Sequence, residues 1–336
     1  MANYQFDEFL NFIKGKKILI TTHDLVDLDG FVSCFVLKLF LNNISSNLEI
    51  SIFFSELSKS TRNFMERFIG KFPEITFNYI NDVDLSKYDL CLVVDTNNLN
   101  QLAFKDNLTL SDLNLPYIII DHHYYNQNQN HVEKLNLLNL INENFSSTIE
   151  IILELFEYND KKLTTAHRYL IIAAILADSG YFKYANNHTL KHVSKLLDDD
   201  VNFQEILLLL EDEIDISKKI ASIKGLQRVK LIRKGSYLIG VSRVSSYGAS
   251  VASVLIKIGF DVGIVHSQEK GECVINTRAN KNLCLKTGLH LGKILEDISN
   301  RYKGSGGGHD GAASLTLTED LDVILDEILK KITQVL

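Results

Sequence analysis

The stretch that decides the fold is KKILITTHDLVDLDG, residues 16–30. It begins as a short apolar run typical of a buried strand, passes directly into His23, Asp27 and Asp29, and continues into a helical pattern from residue 31. A strand that leads at once into a turn and a helix predicts an α/β unit. Ligands bind at the carboxyl ends of strands in open α/β sheets, and the HxxxDxD spacing lets one imidazole and two carboxylates converge on a divalent metal. Taken alone, a solvated turn with a helix cap is the alternative interpretation.

The rest of the first half repeats this strand and helix pattern. We predict further strands at EISIFFS (49–55), ITFNYI (75–80), DLCLVVD (89–95) and PYIIID (116–121), and a helix at TRNFMERFI (61–69). These runs indicate a mostly parallel sheet flanked by helices. From residue 146 to about residue 210 the pattern is almost entirely helical.

The length of 336 residues and the 46% hydrophobic content allow two domains, each with its own core. We predict a larger domain over residues 1–210, a charged helical linker over 211–230 and a smaller α/β domain over 231–336. The smaller domain contains strand patterns at 236–244, 261–267 and 272–279 and helical patterns at 248–259, 289–298 and 321–336.

Charge and cysteine content exclude several classes of protein. With 42 acidic and 35 basic residues the net charge is −7, which argues against a broad basic surface for long duplex nucleic acid and favours a small phosphorylated substrate. The four cysteines have no CxxC spacing, so neither a disulfide framework nor a zinc knuckle is predicted. No apolar run is long enough to span a membrane and the N-terminus does not read as a signal peptide, so we expect a cytoplasmic protein.

Aspartate also ends two other predicted strands and one helix. Asp95 ends DLCLVVD, Asp121 ends PYIIID and is followed by His122 and His123, and Asp178 ends the apolar helix that precedes Ser179-Gly180. One strand that ends in aspartate is ordinary, but three in one sheet, two of them with histidine, predict a shared metal site.

In order and spacing these motifs resemble those of the DHH phosphoesterase family. The later GGGH segment, Gly306-Gly307-Gly308-His309, with Arg278 upstream, resembles the associated DHHA1 domain, and the resemblance covers about residues 15–320. The larger domain would then be the DHH metal-binding catalytic domain and the smaller one the DHHA1 substrate-binding domain. Val26 and Ser179 depart from the family pattern, which often has proline and threonine there, but neither replaces a ligand.

The resemblance implies a centre with two divalent metal ions, Mn²⁺ first, with Mg²⁺ or Co²⁺ as alternatives. It implies that Asp95 bridges the ions, that Asp121 orients a histidine, and that His123 faces the phosphate, which makes these three the candidate catalytic residues. Two such ions activate a bridging water and neutralise the developing charge. The implied ligands are His23, Asp27 and Asp95 for one ion and Asp29, Asp95, His122 and Asp178 for the other.

The implied activity is a phosphodiesterase that converts short RNA or cyclic or linear dinucleotides, such as c-di-AMP and pApA, to 5′-mononucleotides. Arg278, His309 and the three glycines 306–308 would bind the substrate from across the interdomain cleft. Alternatives are a 3′-phosphoadenosine 5′-phosphate phosphatase, a pyrophosphatase, a single-strand exonuclease or a nucleotide-binding module without catalysis. The oligomeric state is left open, a homodimer included.

Three lesser features carry expectations of their own. The glycine run is either a flexible loop or a nest of backbone amides that binds an anion. We expect Ser146-Ser147-Thr148 to cap the helix that follows, although the resemblance also allows a place for this stretch near the active site. The pair His188 and His192 has no HExxH glutamate and is expected on an exposed helix face.

Overall fold

The chain folds into two compact units, Met1–Asp212 and Glu213–Leu336. The structure, a computed structural model, describes residues 3–45, 47–105, 108–110, 112, 114–124, 135–211, 215–269, 272–302, 304–318 and 321–336. Within these ranges no helix is both long enough and apolar enough to cross a membrane. The predicted linker includes residues 212–214, which lie outside the described part of the chain, and its boundaries stay a prediction.

The first unit contains five strands, seven α-helices and two short 3-10 helices, Leu85–Lys87 and Leu99–Gln101, in the described ranges. The strands are β1 (Lys17–Thr21), β2 (Glu49–Phe53), β3 (Leu90–Val94), β4 (Tyr117–Asp121) and β5 (Asn136–Ile141). The helices are α1 (Asn3–Phe12), α2 (Leu28–Ile44), α3 (Lys59–Lys71), α4 (Ile149–Tyr158), α5 (Thr165–Asp178), α6 (Asn187–Leu196) and α7 (Phe203–Leu210).

The five strands form one parallel sheet in the order β2-β1-β3-β4-β5. The chain therefore goes from β1 to one side for β2 and returns to the other side for β3. This reversal between β1 and β3 is a topological switch point, and it opens a crevice at the carboxyl ends of those two strands. The segments that follow β1 and β3 carry His23 and Asp95.

The sheet is buried on both faces, which explains the continuous apolar runs of its strands. In β3, Leu90, Leu92 and Val94 belong to the core formed with the helices, while Cys91 and Val93 belong to a second cluster beneath the connecting segments. At the strand ends the apolar sequence stops, so the polar residues that follow lie at the edge of the core.

The prediction of a strand at ITFNYI, residues 75–80, is wrong. Only Ile80 makes a β-bridge there, to Phe53 at the end of β2. Phe77 packs instead on the rings of Phe31 and Phe35, with ring centroids 5.0 and 4.9 Å apart. Its apolar pattern serves packing against α2 and not strand pairing.

The second unit has a six-stranded mixed sheet in the order β10-β11-β9-β8-β7-β6, in which only β7 and β8 pair in parallel within the described residues. Its strands are β6 (Lys230–Lys234), β7 (Tyr237–Arg243), β8 (Val262–Glu269), β9 (Glu272–Ala279), β10 (Ser305–Gly308) and β11 (Ala312–Leu317). Its helices are α8 (Ile216–Gln227), α9 (Gly248–Lys257), α10 (Lys281–Thr287), α11 (Leu291–Arg301) and α12 (Leu321–Val335).

The predicted fold class is confirmed: a helix-flanked parallel sheet in the first unit and a smaller α/β sheet in the second. The prediction of a loop or a nest for the glycine run is wrong, because Ser305–Gly308 is an edge strand paired antiparallel with β11. Glycine is disfavoured in strands, so nothing local in the sequence indicates this pairing.

Candidate metal centre

His23 follows β1 directly and faces two carboxylates. Its Nδ1 lies 2.9 Å from the carbonyl oxygen of Asp24, so that nitrogen carries the proton and donates it to the backbone. In the neutral ring the lone pair is then on Nε2, which lies 3.7 Å from Asp27 and 3.8 Å from Asp95. These separations are too long for good hydrogen bonds and leave space for a cation between the three side chains.

Asp27 and Asp29 lie at the start of α2 and have different surroundings. Asp27 is the N-cap of the helix and accepts a hydrogen bond from the amide of Gly30 at 3.0 Å. Asp29 is buried, and its two oxygens accept hydrogen bonds from the amides of Thr148 (2.6 Å) and Ile149 (3.2 Å) at the start of α4. The amino terminus of α4 therefore fixes the orientation of Asp29.

Asp95 lies between the two histidines of the centre. Its Oδ2 is 3.8 Å from Nε2 of His23 and its Oδ1 is 3.7 Å from Nε2 of His122. One carboxylate oxygen thus faces each histidine, which is the arrangement that a bridging ligand requires. The residue has a left-handed backbone with φ of 60°, a strained conformation of a kind that collects at functional sites. A Cβ atom at Gly30 would lie 3.2 Å from Asp95 and 2.6 Å from Thr22, so the close approach requires glycine.

The two histidines of the DHH segment at the end of β4 have different partners. The buried Asp121 accepts hydrogen bonds from both backbone amides that follow and from Nδ1 of His123, at 2.8 Å. His122 turns the other way, with Nδ1 3.3 Å from the carbonyl oxygen of Phe145. Its Nε2 lies 3.1 Å from Oδ2 of Asp178, the last residue of α5.

Several buried polar atoms at this edge have no hydrogen-bond partner among the described residues. Unpaired buried polar atoms are rare in native proteins, so a cluster of them calls for a ligand. Nε2 of His122 and Oδ2 of Asp178 lie 3.1 Å apart without forming a hydrogen bond, and a cation between the carboxylates would give both atoms a partner. The atoms are Thr22 Oγ1, Asp121 Oδ2, His122 Nε2 and Asp178 Oδ2.

The electrostatics of the site show an excess of negative charge. Interactions with Asp27 and then Asp95 raise the pKa of His23 to about 11. Burial lowers the pKa of His122, but nearby carboxylates, Asp178 first, outweigh burial and raise that pKa to about 10. Burial, followed by repulsion from Asp95 and Asp178, raises the pKa of Asp29 well above its ordinary value. The protein by itself thus keeps protons in a place where the carboxylates attract positive charge.

The donor atoms form three groups, each with its members within 4.8 Å of one another. Aspartate oxygens and imidazole nitrogens suit divalent first-row cations. Four carboxylates converge here, and two divalent cations would balance their charge. The residues present therefore fit a metal pair, while the number of ions and the ligand sets stay predictions. The groups are His23, Asp27 and Asp95; Asp29, His122 and Asp178; and Asp95, Asp121, His122 and His123.

The expected cap at Ser146–Thr148 is wrong, and the true contacts matter more. Thr148 makes no side-chain cap hydrogen bond. Its hydroxyl donates to Oδ1 of Asp95 at 2.8 Å, and its amide donates to Asp29. It therefore supports two predicted ligands at once. The sequence signal was a three-residue polar stretch before an apolar helix, which does not reveal a partner 53 residues away.

Behind Thr148 lies a buried pair that the sequence analysis also missed. His192 is 5% exposed, so its expected place on an exposed helix face is wrong, whereas His188 is exposed as expected. The Nδ1 atom of His192 lies 2.8 Å from the fully buried carboxylate of Glu150. The other Glu150 oxygen accepts hydrogen bonds from the amide and hydroxyl of Ser146 at 2.9 Å, and from the hydroxyls of Ser147 and Thr189. This network fixes the segment that contacts Asp29 and Asp95.

The second unit places its predicted substrate-binding residues at one end of its sheet. Arg278, near the end of β9, pairs in register with Ala312, and the amide of His309 donates to the Ala312 carbonyl at 2.8 Å. Gly308 has φ of 142°, and its carbonyl oxygen would be 2.1 Å from a Cβ atom at Gly292 in α11. Glycine at these two positions thus lets α11 approach β10. The His309 side chain is exposed.

Arg278 lines a basic cavity of about 710 Å³ within the second unit. Its Nε donates to the hydroxyl of Ser253 at 3.3 Å, which leaves other guanidinium donors for a ligand. Lys218, Lys219 and Lys257 line the same cavity. The cavity suits an anionic group.

Two protein-family models match this chain, one in each of its two units. Residues 17–177 match the DHH family, N-terminal domain, and residues 241–336 match the DHHA1 domain. The first match contains five of the six predicted metal ligands, and the sixth, Asp178, is the residue after its end. The second contains Arg278 and the GGGH segment.

An uncharacterized protein of Methanocaldococcus jannaschii is 30% identical to this chain over 330 residues, which cover 97% of this chain and 94% of the relative. A similar solved structure is that of an exopolyphosphatase-related protein from Bacteroides fragilis, with a TM-score of 0.62 and 16% identity over 99% of this chain and 97% of that one. That likeness shows the fold alone. A putative family II inorganic pyrophosphatase from Methanococcus jannaschii has a TM-score of 0.47 and 18% identity over 80% of this chain and 90% of that one.

Proposed function

We propose, from the premise that this chain belongs to the DHH family and carries a DHHA1 domain, that it hydrolyses short oligoribonucleotides or cyclic or linear dinucleotides to 5′-mononucleotides. Family membership makes the chain a metal-dependent hydrolase of phosphoric esters, and the phosphodiester substrate is the proposed part. One observation carries the proposal. Asp95 is held in a strained conformation with one oxygen towards each of two histidines, in a cluster of four carboxylates.

The ligand assignment follows from which atoms have lone pairs left. His23 and His122 each use Nδ1 on a backbone carbonyl, so each presents Nε2 to a metal. A divalent pair held there, Mn²⁺ in our proposal, would supply an activated water and neutralise charge on the phosphate. The chain's own part is to hold Asp95 between the two positions, which the Thr148 hydroxyl does by donating to Oδ1.

His123 is suited to contact the phosphate. Its hydrogen bond to Asp121 raises the pKa of the imidazole above its ordinary value, which favours the positively charged ring. Asp121 accepts the hydrogen bond from Nδ1–H, and the half-exposed ring leaves Nε2–H to donate to a phosphate oxygen. In this proposal Asp121 orients His123 and does not bind the metal.

The DHHA1 unit would bind the nucleotide part of the substrate. The guanidinium of Arg278, the exposed imidazole of His309 and the backbone of Gly306–Gly308 offer donors of the kind that phosphates and bases accept. Three lysines beside Arg278 add positive charge to a chain whose net charge is −7. A local basic cavity in an acidic chain favours a short substrate over long nucleic acid.

The test is a substrate panel with Mn²⁺: pApA, a short RNA, c-di-AMP, 3′-phosphoadenosine 5′-phosphate and inorganic tripolyphosphate. We expect turnover of pApA or the short RNA, and loss of about 10³-fold or more in kcat for Asp95→Asn and His122→Ala. The matched control is Asp24→Asn. Both hydrogen bonds of the Asp24 side chain, from Leu25 and Ser55, go to one oxygen, and the asparagine can keep them.

Turnover of tripolyphosphate or 3′-phosphoadenosine 5′-phosphate alone would replace the proposed substrate. Absence of Mn²⁺-dependent turnover of all five compounds would overturn the proposal. Equal losses in Asp24→Asn and Asp95→Asn would show that the centre does not depend on the carboxylate that we place between the metals.

A further inference from the structure

The segment after Asp178 has an unusual backbone. Gly180, Tyr181 and Phe182 are three consecutive residues in the left-handed region, with φ of 58°, 56° and 68°. A left-handed residue with a side chain costs about 1–2 kcal/mol, so a turn with two of them persists only where its surroundings hold it. The turn begins directly at the end of α5, where Asp178 faces His122.

Contacts on the inner side of the turn hold this conformation. The amide of Tyr181 donates to the carbonyl of Leu176 at 2.7 Å, and the amide of Phe182 donates to the hydroxyl of the buried Ser179 at 3.1 Å. The ring of Phe182 stacks on Phe203 with an interplanar angle of 6° and joins the core of the first unit. Phe182 thus anchors the turn while its neighbours face outward.

The outer side of the turn presents two aromatic rings and a cation to solvent. Tyr181 is 56% exposed and Tyr184 is 67% exposed. The ring of Tyr184 lies against Gly180, where a Cβ atom would be 3.3 Å from two ring carbons, and the ammonium of Lys183 lies 5.1 Å from its centroid. Glycine at position 180 suits both the left-handed backbone and the close approach of this ring.

Exposed aromatic area is unfavourable in water and needs a reason at this position. A strained turn that is anchored from inside, and that displays rings beside a cluster of metal-binding side chains, is suited to a flat apolar ligand. Nucleobases are such ligands, and they stack on tyrosine irrespective of sequence. Lys183 adds a positive charge that favours a ligand carrying phosphate.

We propose that the turn Gly180–Tyr184 is a base-binding platform, on which Tyr181 and Tyr184 stack a nucleobase of the substrate while its phosphate lies at the metal centre. The inference rests on the proposed function for the place of the phosphate. It goes further in stating that the substrate must carry a base, which inorganic phosphate chains do not.

The test compares two ligands that differ only in the base, AMP and ribose 5-phosphate, by titration calorimetry of the full chain with Mn²⁺. We expect the wild type to bind AMP at least about tenfold more tightly than ribose 5-phosphate. Tyr181→Asn and Tyr184→Ala should each weaken the binding of AMP about tenfold and leave the affinity for ribose 5-phosphate unchanged. Asparagine is chosen at 181 because it tolerates the left-handed backbone while it removes the ring.

Two controls separate stacking from loss of surface. Tyr181→Phe keeps the ring and should keep the preference for AMP. Leu190→Ala removes an exposed apolar side chain from α6 and should leave the affinity for both ligands unchanged. If Tyr181→Asn does not fold, as judged by its thermal melt, Tyr184→Ala carries the test. Equal affinity of the wild type for the two ligands, no measurable binding of either, or equal weakening of both in the ring variants would overturn the platform.

The experiments distinguish failure of the base-binding platform from failure of the proposed hydrolytic activity. A chain that prefers AMP but hydrolyses no nucleotide would retain the platform and lose the proposed activity. A chain that hydrolyses pApA without any preference for AMP would retain the activity and lose the platform.

Discussion

The carboxyl edge of the first sheet and the GGGH end of the second sheet are built by different means. At the first, buried carboxylates, a strained aspartate and unpaired polar atoms converge within a few ångströms. At the second, the Arg278 guanidinium already has two oxygen partners, and the amides of Leu291 and Gly292 in α11 donate to the carbonyls of Asp310 and His309. The first edge holds unbalanced buried charge, whereas most of the polar groups named at the second edge have partners within the protein, and only part of the Arg278 guanidinium is left for a ligand.

This difference indicates whether each region affects the chemical step or the binding of the substrate. Buried carboxylates attract cations to a place that water screens little, and cations held there would stabilise an anionic transition state strongly. A satisfied and more exposed surface contributes to binding and much less to the chemical step. Changes at the first edge should therefore lower kcat and metal affinity, and changes at the second should raise KM.

Of the changes considered, removal of the metal should have the largest effect, and it should affect the first edge and not the second. We expect chelation to lower activity by about 10³-fold or more, and Mn²⁺ to restore it. Bound metal should also stabilise the first unit, by about 2.7 kcal/mol at a hundred times its Kd. Hydrogen exchange with mass spectrometry should show the change in the segments after β1, β3 and β4 and at the start of α4. Equal changes in both units would contradict the contrast.

The second prediction concerns Thr148, which supports the first edge without being a predicted ligand. Thr148→Val keeps the shape but removes the hydrogen bond to Asp95, and we expect Mn²⁺ affinity to fall about 10–100-fold. Thr148→Ser keeps the hydroxyl and is the matched control. Calorimetric titration with Mn²⁺ measures both. Unchanged affinity in the valine variant would mean that Asp95 needs no support from α4.

The third prediction addresses the second edge. Arg278→Met removes the guanidinium but keeps much of the apolar stem, and we expect KM for pApA to rise about tenfold while kcat and Mn²⁺ affinity stay unchanged. Arg233→Met, on the exposed strand β6, is the control. Steady-state kinetics separates the two constants. A fall in kcat together with lost metal would show that Arg278 belongs to the chemical site.

The same contrast explains what could be predicted from sequence. The first edge was readable because each predicted ligand follows or ends a strand or helix, so local pattern and parallel topology bring them together. Thr148 was not, since its role depends on the contact of α4 with α2, 119 residues away in sequence. His192 was misassigned for a similar reason, because its partner Glu150 lies on another helix.

Strands that depend on tertiary pairing were also missed or misread. The sequence of β5, NLLNLI, has few β-branched residues, and the glycines of β10 have no side chains to indicate a strand. Residues 75–80 have the alternation of a strand but use it to pack on α2. In each case a distant segment of the same chain, packed alongside, decides the local structure, and the sequence alone does not show which segment that is.

The smallest expected effect concerns Glu150, a buried charge that is fully paired, unlike those of the metal centre. Burial raises the pKa of Glu150, but hydrogen bonds from His192 and Ser146 outweigh burial and hold it below 4.5. Since the folded pKa is the lower one, the carboxylate stabilises the fold above the unfolded value, and this contribution is lost as pH falls through the folded value. Glu150→Gln should therefore melt about 2–4 °C below wild type at pH 7, for about 1 kcal/mol, and the gap should close in acid below pH 4.5. Thermal melts of metal-free protein at several pH values measure this gap. A gap that is constant with pH would show that Glu150 acts through its shape and hydrogen bonds rather than through its charge.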